Sequence, residues 1–216
     1  LITIEDEPIV KYNGLEFFYR PETTDWNIIR EACGGLNTLH FDVEDDELWF
    51  DIGAHIGSFS CYAANKGAQV FAFEPMPDNF AFLDDNVALN NFESNIECFQ
   101  MGVSKDGASI PLYIDRQNYG NCSSFRGDIL GEVISVQTMP AKNMNNQSSY
   151  CLKIDTEGYE YDILTEVDFR KISKLVFEWH YWLIEFPHEK LDWVLEKMNE
   201  NFDHVANHGD YIYYGW

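Results

Sequence analysis

The segment "LWFDIGAHIGSFSCYAANKGAQVFAFEP" runs from Leu48 to Pro75, and its reading decides the fold. An apolar run ends on Asp51, and Gly53 and Gly57 follow. A helical stretch then closes at Gly67, and a second apolar run ends on Glu74 and Pro75. Strand, glycine turn, helix, strand is a crossover unit whose two strands lie parallel in one sheet. In such sheets ligands settle beyond the carboxyl ends of the strands, where the topology switches. Glycine tolerates the backbone angles of that turn and, without Cβ, lets the chain approach a ligand closely. Glu74 follows Gly53 by about twenty residues, where a carboxylate can accept hydrogen bonds from both hydroxyls of a ribose.

Two cofactor classes use this layout. A nicotinamide dinucleotide asks for GxGxxG, so that backbone folds around a pyrophosphate. Here the spacing is GxxxG with His55 inside it, and the middle glycine is missing. S-adenosylmethionine carries no phosphates. It needs room for adenine, ribose and an amino-acid tail, which the looser D-x-G-x-x-x-G turn provides, and Asp51 is placed to meet the ammonium of that tail. The candidate cofactor contacts are Asp51, Gly53, Ala54, His55, Gly57, Glu74 and Pro75, with Gly102 toward the end of the third strand. The plain alternative is a packed turn whose glycines serve only the fold.

Outward from this segment, strands and helices alternate. "PMPDNFAFLDDNVALNN" reads as a helix with Pro77 in its first turn, and "IECFQMGV" as a third strand. "ASIPLYI" and "EVISVQTM" flank a polar loop and read as an inserted hairpin. "SYCLKID" and "SKLVFEWH" are further strands, "EGYEYDIL" a short helix, "HEKLDWVLEKMNENF" a helix and "DYIYYGW" a last strand. Upstream, "IVKY" and "LEFFYR" bracket Asn13-Gly14, a hairpin signal, and "TTDWNIIREACGG" reads as a helix. The expectation is a single α/β domain over residues 1–216. It has an N-terminal cap over 1–45, a doubly wound core over 46–216, and the inserted hairpin at about 108–138.

Composition bounds the function. The 216 residues hold 14 basic against 37 acidic side chains, a net charge of −23, which repels a nucleic-acid backbone. No apolar run is long enough for a membrane span, and the N-terminal "LITIEDEPIV" has no signal-peptide core. Cys33, Cys61, Cys98, Cys122 and Cys151 are scattered and never spaced CxxC, which favours reduced thiols and a cytoplasmic setting.

"FDIGAHIGSFS", "FAFEPMPDNFAFLDDNVALNN" and "LKIDTEGYEYDIL", in this order, resemble the FkbM-type S-adenosylmethionine-dependent methyltransferases, from about Thr24 to His180. The combination of E-P-x-P-x-N with K-I-D-x-E-G-x-E is the specific part. The resemblance implies the class I methyltransferase fold: a Rossmann-like, seven-stranded, mostly parallel sheet with an antiparallel strand near its C-terminal edge. It also implies O-methylation of hydroxyls on sugars or polyketide-like compounds. By position, Asp51, Gly53, Gly57 and Glu74 would line the cofactor, and Asn79 and Asn86 match asparagines of the family's second helix. His55 stands where the family usually has Asn.

Methyl transfer is an in-line displacement, so the protein must orient the acceptor and remove its proton. Asp155 and Glu157 end the fourth strand, and Glu178 and His180 the fifth, both at the active edge. These four are the catalytic candidates: as bases, as grips on acceptor hydroxyls, or, for Asp155 and Glu157, as caps of the next helix. A divalent metal held with help from that pair is the less favoured reading, and no dedicated metal-ligand set is assigned. Trp179, Tyr181 and Trp182 are candidates for stacking on an acceptor, and "NYGNCSSF" for a lid. Lys153 has no assigned role. The expected partner is a small-molecule or glycan acceptor. The competing classes are a nicotinamide-dependent oxidoreductase and a non-catalytic module that keeps the fold.

Overall fold

A computed structural model of the chain describes residues 7–34, 42–114, 132–209 and 212–216. β1 (Ile9–Tyr12) and β2 (Leu15–Phe18) pair antiparallel. Asn13 (φ 50°) and Gly14 (φ 86°) both take the left-handed turn that the Asn-Gly pair favours. α1 (Asp25–Ala32) follows. Then come β3 (Leu48–Ile52), α2 (Ser58–Asn65), β4 (Gln69–Phe73), α3 (Pro77–Leu89) and β5 (Ile96–Phe99). Pro77 opens α3, where a missing N–H costs nothing.

The next segment departs from the expectation of one strand through "IECFQMGV". Pairing with β4 stops at Phe99. The Met101 N–H turns back to the Phe99 carbonyl (2.8 Å), and the Gly102 N–H donates to the Gln137 carbonyl (2.9 Å). Gly102 therefore starts a separate strand, β6 (Gly102–Ser104). β7 (Ile110–Ile114) and β8 (Glu132–Val136) form the inserted antiparallel hairpin, and β9 (Thr138–Pro140) returns parallel to β6. The stretch "NYGNCSSF", with Cys122, lies outside the described residues.

β10 (Tyr150–Ile154), α4 (Glu160–Leu164), β11 (Ile172–Glu178), α5 (Pro187–Asn201), β12 (Val205–His208) and β13 (Ile212–Gly215) complete the chain. The main sheet has seven strands in the order β12-β13-β11-β10-β3-β4-β5. β13 runs antiparallel to β11 and β12, while β11, β10, β3, β4 and β5 are mutually parallel. This is the doubly wound sheet, with its one reversed strand near the edge, that the resemblance implies. Edge strand β12 was not read from the sequence: "VANH" is short and half exposed.

β3 feeds both cores because successive side chains point to opposite faces. Trp49 joins Ile56, Phe82 and Leu83 on the α2/α3 side, while Phe50 and Ile52 join Leu152, Ile154 and Phe177 on the other. The switch point lies between β3 and β10, where the chain reverses its direction across the sheet. Cys33, Cys61, Cys98 and Cys151 are unpaired thiols, and among the described residues no helix is long and apolar enough to cross a membrane.

The β1–β2 hairpin docks through two asparagines one turn apart, Asn86 on α3 and Asn90 at its C-terminal cap. The Phe18 N–H donates to Asn86 Oδ1 (2.7 Å), and Asn86 Nδ2 donates to the Phe18 and Ile56 carbonyls (3.2 and 2.9 Å). Asn90 does the same for Glu16, accepting from its N–H (3.0 Å) and donating to its carbonyl (2.7 Å). Side-chain amides thus stand in for a neighbouring strand, which settles Asn86 as structural. Asn86→Ala orphans three backbone groups in a partly buried place and is expected to cost about 2–4 kcal/mol in urea denaturation. Unchanged stability would mean that the hairpin is held by its apolar side chains alone.

Candidate functional site

The glycine turn after β3 is bolted to the end of β4. The Gly53 and Ala54 N–H groups both donate to the Phe73 carbonyl (2.9 and 3.0 Å). Gly53 has φ 80°, and a Cβ there would lie 1.8 Å from the Asp155 carbonyl oxygen. The carboxyl ends of β3 and β10 touch at this glycine. Gly57 (φ 84°) serves packing instead, since a Cβ would meet Leu83 Cδ1 at 2.7 Å.

His55 takes φ 53°, unusual for a residue with a side chain, and this turns its N–H onto Glu74 Oε2 (2.8 Å). The Met76 N–H donates to Glu74 Oε1 (2.8 Å). Glu74 is thus gripped from both sides by backbone, 5% exposed, with its carboxylate in the wall of a cavity. Burial pushes it up to about 7, against the pull of the Met76 and His55 N–H groups. Burial also holds the His55 imidazole down, to about 4, so the ring is neutral.

Asp51, offered by the sequence as a contact for the cofactor's ammonium group, lies behind the cavity wall. It is fully buried, accepts from Ser60 Oγ (2.6 Å), and lies 3.1 Å from Lys153 Nζ rather than on the cavity wall. Lys153 gains the role that the sequence left blank: its Nζ also donates to the Gly53 carbonyl (2.7 Å), tying β10 to the turn. Burial alone would pull the ammonium down, but the Asp51 and Asp155 charges outweigh it and raise it. A second buried chain, Asp25–Arg20–Asn79, joins the N-terminal cap to this end of the cavity. Arg20 donates to Asp25 (2.8 and 2.9 Å) and to Asn79 Oδ1 (2.9 Å), and Asn79 in turn hydrogen-bonds Glu74.

The cavity holds about 460 Å³, within the range of cofactor and small-ligand sites. Of the residues that the sequence offers as cofactor contacts, Gly53, Ala54, His55, Glu74, Pro75 and Gly102 line it, and Asp51 and Gly57 do not. α1 and the Thr24 that precedes it line another side, with Asn27, Ile28 and Glu31 from the helix. Glu74 ends β4 and Glu178 ends β11, with β3 and β10 between them, so the wall runs from one carboxylate to a cluster of others.

That cluster brings together all four catalytic candidates. Asp155, Glu157 and Glu178 line the cavity, while His180 sits behind them, 2% exposed. His180 Nε2 is 3.6 Å from Glu157 Oε2, 3.9 Å from Glu178 Oε1 and 4.0 Å from Asp155 Oδ1. Its Nδ1 is 3.0 Å from Glu160 Oε1. Burial pulls the imidazolium down, but the Glu160 hydrogen bond and the carboxylates outweigh it and carry His180 to about 10. Burial likewise raises Glu157 to about 7, and partial burial with the Asp155 charge raises Glu178 to about 7. Glu157 has φ 53°, the second such angle at a strand end facing the cavity.

Sequence reasoning passed over Glu160, which holds this corner. It is fully buried, and its Oε1 accepts from the Thr156 N–H (3.1 Å), the Thr156 hydroxyl (3.0 Å) and the Gly158 N–H (3.0 Å). The signal was the second glutamate of "DTEGYE", at a helix start where a carboxylate collects orphaned N–H groups. The turn is capped by Glu160 rather than by Asp155 or Glu157. Trp179 is buried in the core, Tyr181 hydrogen-bonds Tyr213 (2.9 Å), and Trp182 stands 56% exposed with its ring perpendicular to that of His180.

The model of the methyltransferase FkbM domain matches residues 51–209. The chain is 31% identical over 149 residues to "Methyltransferase 1" of Beauveria bassiana, covering 57% of this chain and 59% of that protein. It is 28% identical over 150 residues to the hexuronic acid methyltransferase AglP of Haloferax volcanii, covering 63% and 57%. A tRNA (guanine(37)-N(1))-methyltransferase of Anopheles darlingi is 30% identical over 101 residues, covering 45% and 19%. The chain thus spans less than two thirds of the length of the curated relatives it matches.

Proposed function

The chain belongs to the FkbM methyltransferase family, and on that premise we propose that it methylates a hydroxyl of a sugar, glycan or polyketide-like small molecule with S-adenosylmethionine. The observation that carries this reading is a continuous cavity that joins Glu74 to the carboxylate cluster of Asp155, Glu157 and Glu178. The residues fit the cofactor. Glu74 offers a buried carboxylate on the cavity wall, fixed by the His55 and Met76 N–H groups and by Asn79, as an acceptor for ribose hydroxyls. Gly53 leaves the turn free of side-chain bulk, and Ala54, Pro75 and Gly102 continue the wall. When bound, the sulfonium supplies the electrophilic methyl group.

The chain's own work lies at the other end. Carboxylates converging on one spot orient polyhydroxylated acceptors, and one of them takes the hydroxyl proton as the oxygen attacks. Glu157 is the most enclosed of the three that line the cavity. The likeness to AglP, a hexuronic acid methyltransferase, supports a uronic-acid acceptor. A tRNA acceptor, suggested by the partial match to the guanine-N1 enzyme, is opposed by the net charge of −23.

The test is release of S-adenosylhomocysteine with a panel of sugars, uronic acids, hydroxylated small molecules and tRNA. Turnover is expected with hydroxyl acceptors. Glu157→Gln is expected to lower it by roughly 10²–10⁴-fold while leaving S-adenosylhomocysteine affinity in place. Preferential methylation of an amine or of RNA overturns the reading.

A further inference from the structure

Ile154 pairs with Phe177, so the ends of β10 and β11 set Asp155 beside Glu178. His180 folds in beneath them, 2% exposed, with Nδ1 on Glu160 Oε1. That oxygen already accepts three other hydrogen bonds, so in the neutral ring the Nδ1 proton belongs to this contact and Nε2 is left to face the carboxylates. Nε2 makes no hydrogen bond among the described residues. Its nearest carboxylate oxygens stand at 3.6, 3.9 and 4.0 Å, beyond hydrogen-bond reach.

Ligands at roughly 2.1 Å from a six-coordinate cation lie about 3 Å apart when adjacent, so the Asp155 and Glu178 oxygens would each draw about 1 Å toward Nε2 to close around a shared ion. One ligand atom each from Asp155, Glu178 and His180 lies within 4.8 Å of the others. We propose that Asp155, Glu178 and His180 Nε2 form a divalent-cation site at the acceptor end of the cavity, fitted best by Mn²⁺. Two carboxylates and one imidazole are a mixed hard and borderline set, which Mn²⁺ accepts more readily than Mg²⁺. Glu160 is the outer carboxylate that orients the ligating imidazole.

A bare acidic patch would attract cations loosely. A buried imidazole, pinned through one nitrogen and aimed with the other into the patch, is a different arrangement. The cation replaces the proton that otherwise sits on Nε2 among the carboxylates. What the ion does there rests on the methyl-transfer reading: it would hold the acceptor oxygen and ease loss of its proton.

The test is Mn²⁺ titration of the purified chain, read by the loss of the aqua-ion EPR signal. A single tight ion is expected, weakened at least tenfold by His180→Ala or Glu178→Gln, and about 10–100-fold by Glu160→Gln. Should the buried variants fail to fold, pulsed EPR of the wild-type protein gives the answer directly, because a bound imidazole imprints nitrogen-14 coupling on Mn²⁺. Absence of that coupling, or tight binding unchanged in Glu178→Gln, overturns the site and assigns the ion to the acidic surface. Calorimetry with S-adenosylhomocysteine on the same samples separates the two readings. Cofactor binding without Mn²⁺ sinks the site alone, and Mn²⁺ binding without cofactor upholds the site and sinks the methyl-transfer reading.

Discussion

Glu74→Gln is expected to weaken S-adenosylhomocysteine binding by roughly a hundredfold or more in isothermal titration calorimetry. Two hydrogen bonds to an ionised acceptor are at stake, each contributing about 1.5–3 kcal/mol. The variant also sets an NH₂ group against either the His55 or the Met76 N–H, so it disturbs the turn as well. Glu74→Ala leaves both N–H groups orphaned and should do worse.

The wild-type pH profile carries the same signature. In the free protein Glu74 sits at about 7, raised by burial. Its folded state therefore binds the extra proton between the ordinary carboxylate range and about pH 7, and this group's contribution to fold stability falls as pH rises through that window. Cofactor affinity runs the opposite way, because the diol needs the ionised form. Binding at pH 6 is expected to be roughly tenfold weaker than at pH 8. Glu74→Gln should be flat across that range, and a flat wild-type profile would remove Glu74 from the ribose.

Gly53→Ala is the second large effect, expected to cost about 3–5 kcal/mol of stability and to abolish cofactor binding with it. The added Cβ falls 1.8 Å from the Asp155 carbonyl oxygen, at a backbone φ of 80°. The carbonyl cannot retreat cheaply, since the Asp155 N–H is tied to Ile52 (2.9 Å) and Lys153 holds the Gly53 carbonyl from the other side. Gly209 provides the contrast: φ is 60° but nothing lies within 4 Å of a Cβ, so Gly209→Ala should cost only about 1 kcal/mol. Urea denaturation of the two variants checks the difference. Equal costs would mean that backbone angle, not contact between the strands, explains the glycine.

The alternation of strands and helices was legible because each period is local, and the cavity wall was legible where it is built from turn residues. Gly53, His55, Glu74 and Pro75 lie where their strand ends put them. What escaped depends on depth and partners. Asp51 looked like a ligand because it ends a strand beside the turn, yet its alternation sends it to the α2 side, where Ser60 and Lys153 take it. Lys153 and Glu160 read as plain charges in "LKIDTEGYE", and only their burial shows them holding the turn and the imidazole. The break between Phe99 and Gly102 escaped because an apolar run does not reveal which neighbour its N–H groups choose.

Asn86 and Asn90 grasp peptide groups and ignore what those residues carry. Position 16, whose side chain reaches outward, is therefore open to drift, whereas Phe18 also packs on the core; at either place proline, having no N–H to offer, undoes the clasp. The first ribbon of the chain can change its face to the surroundings while its mooring stays put.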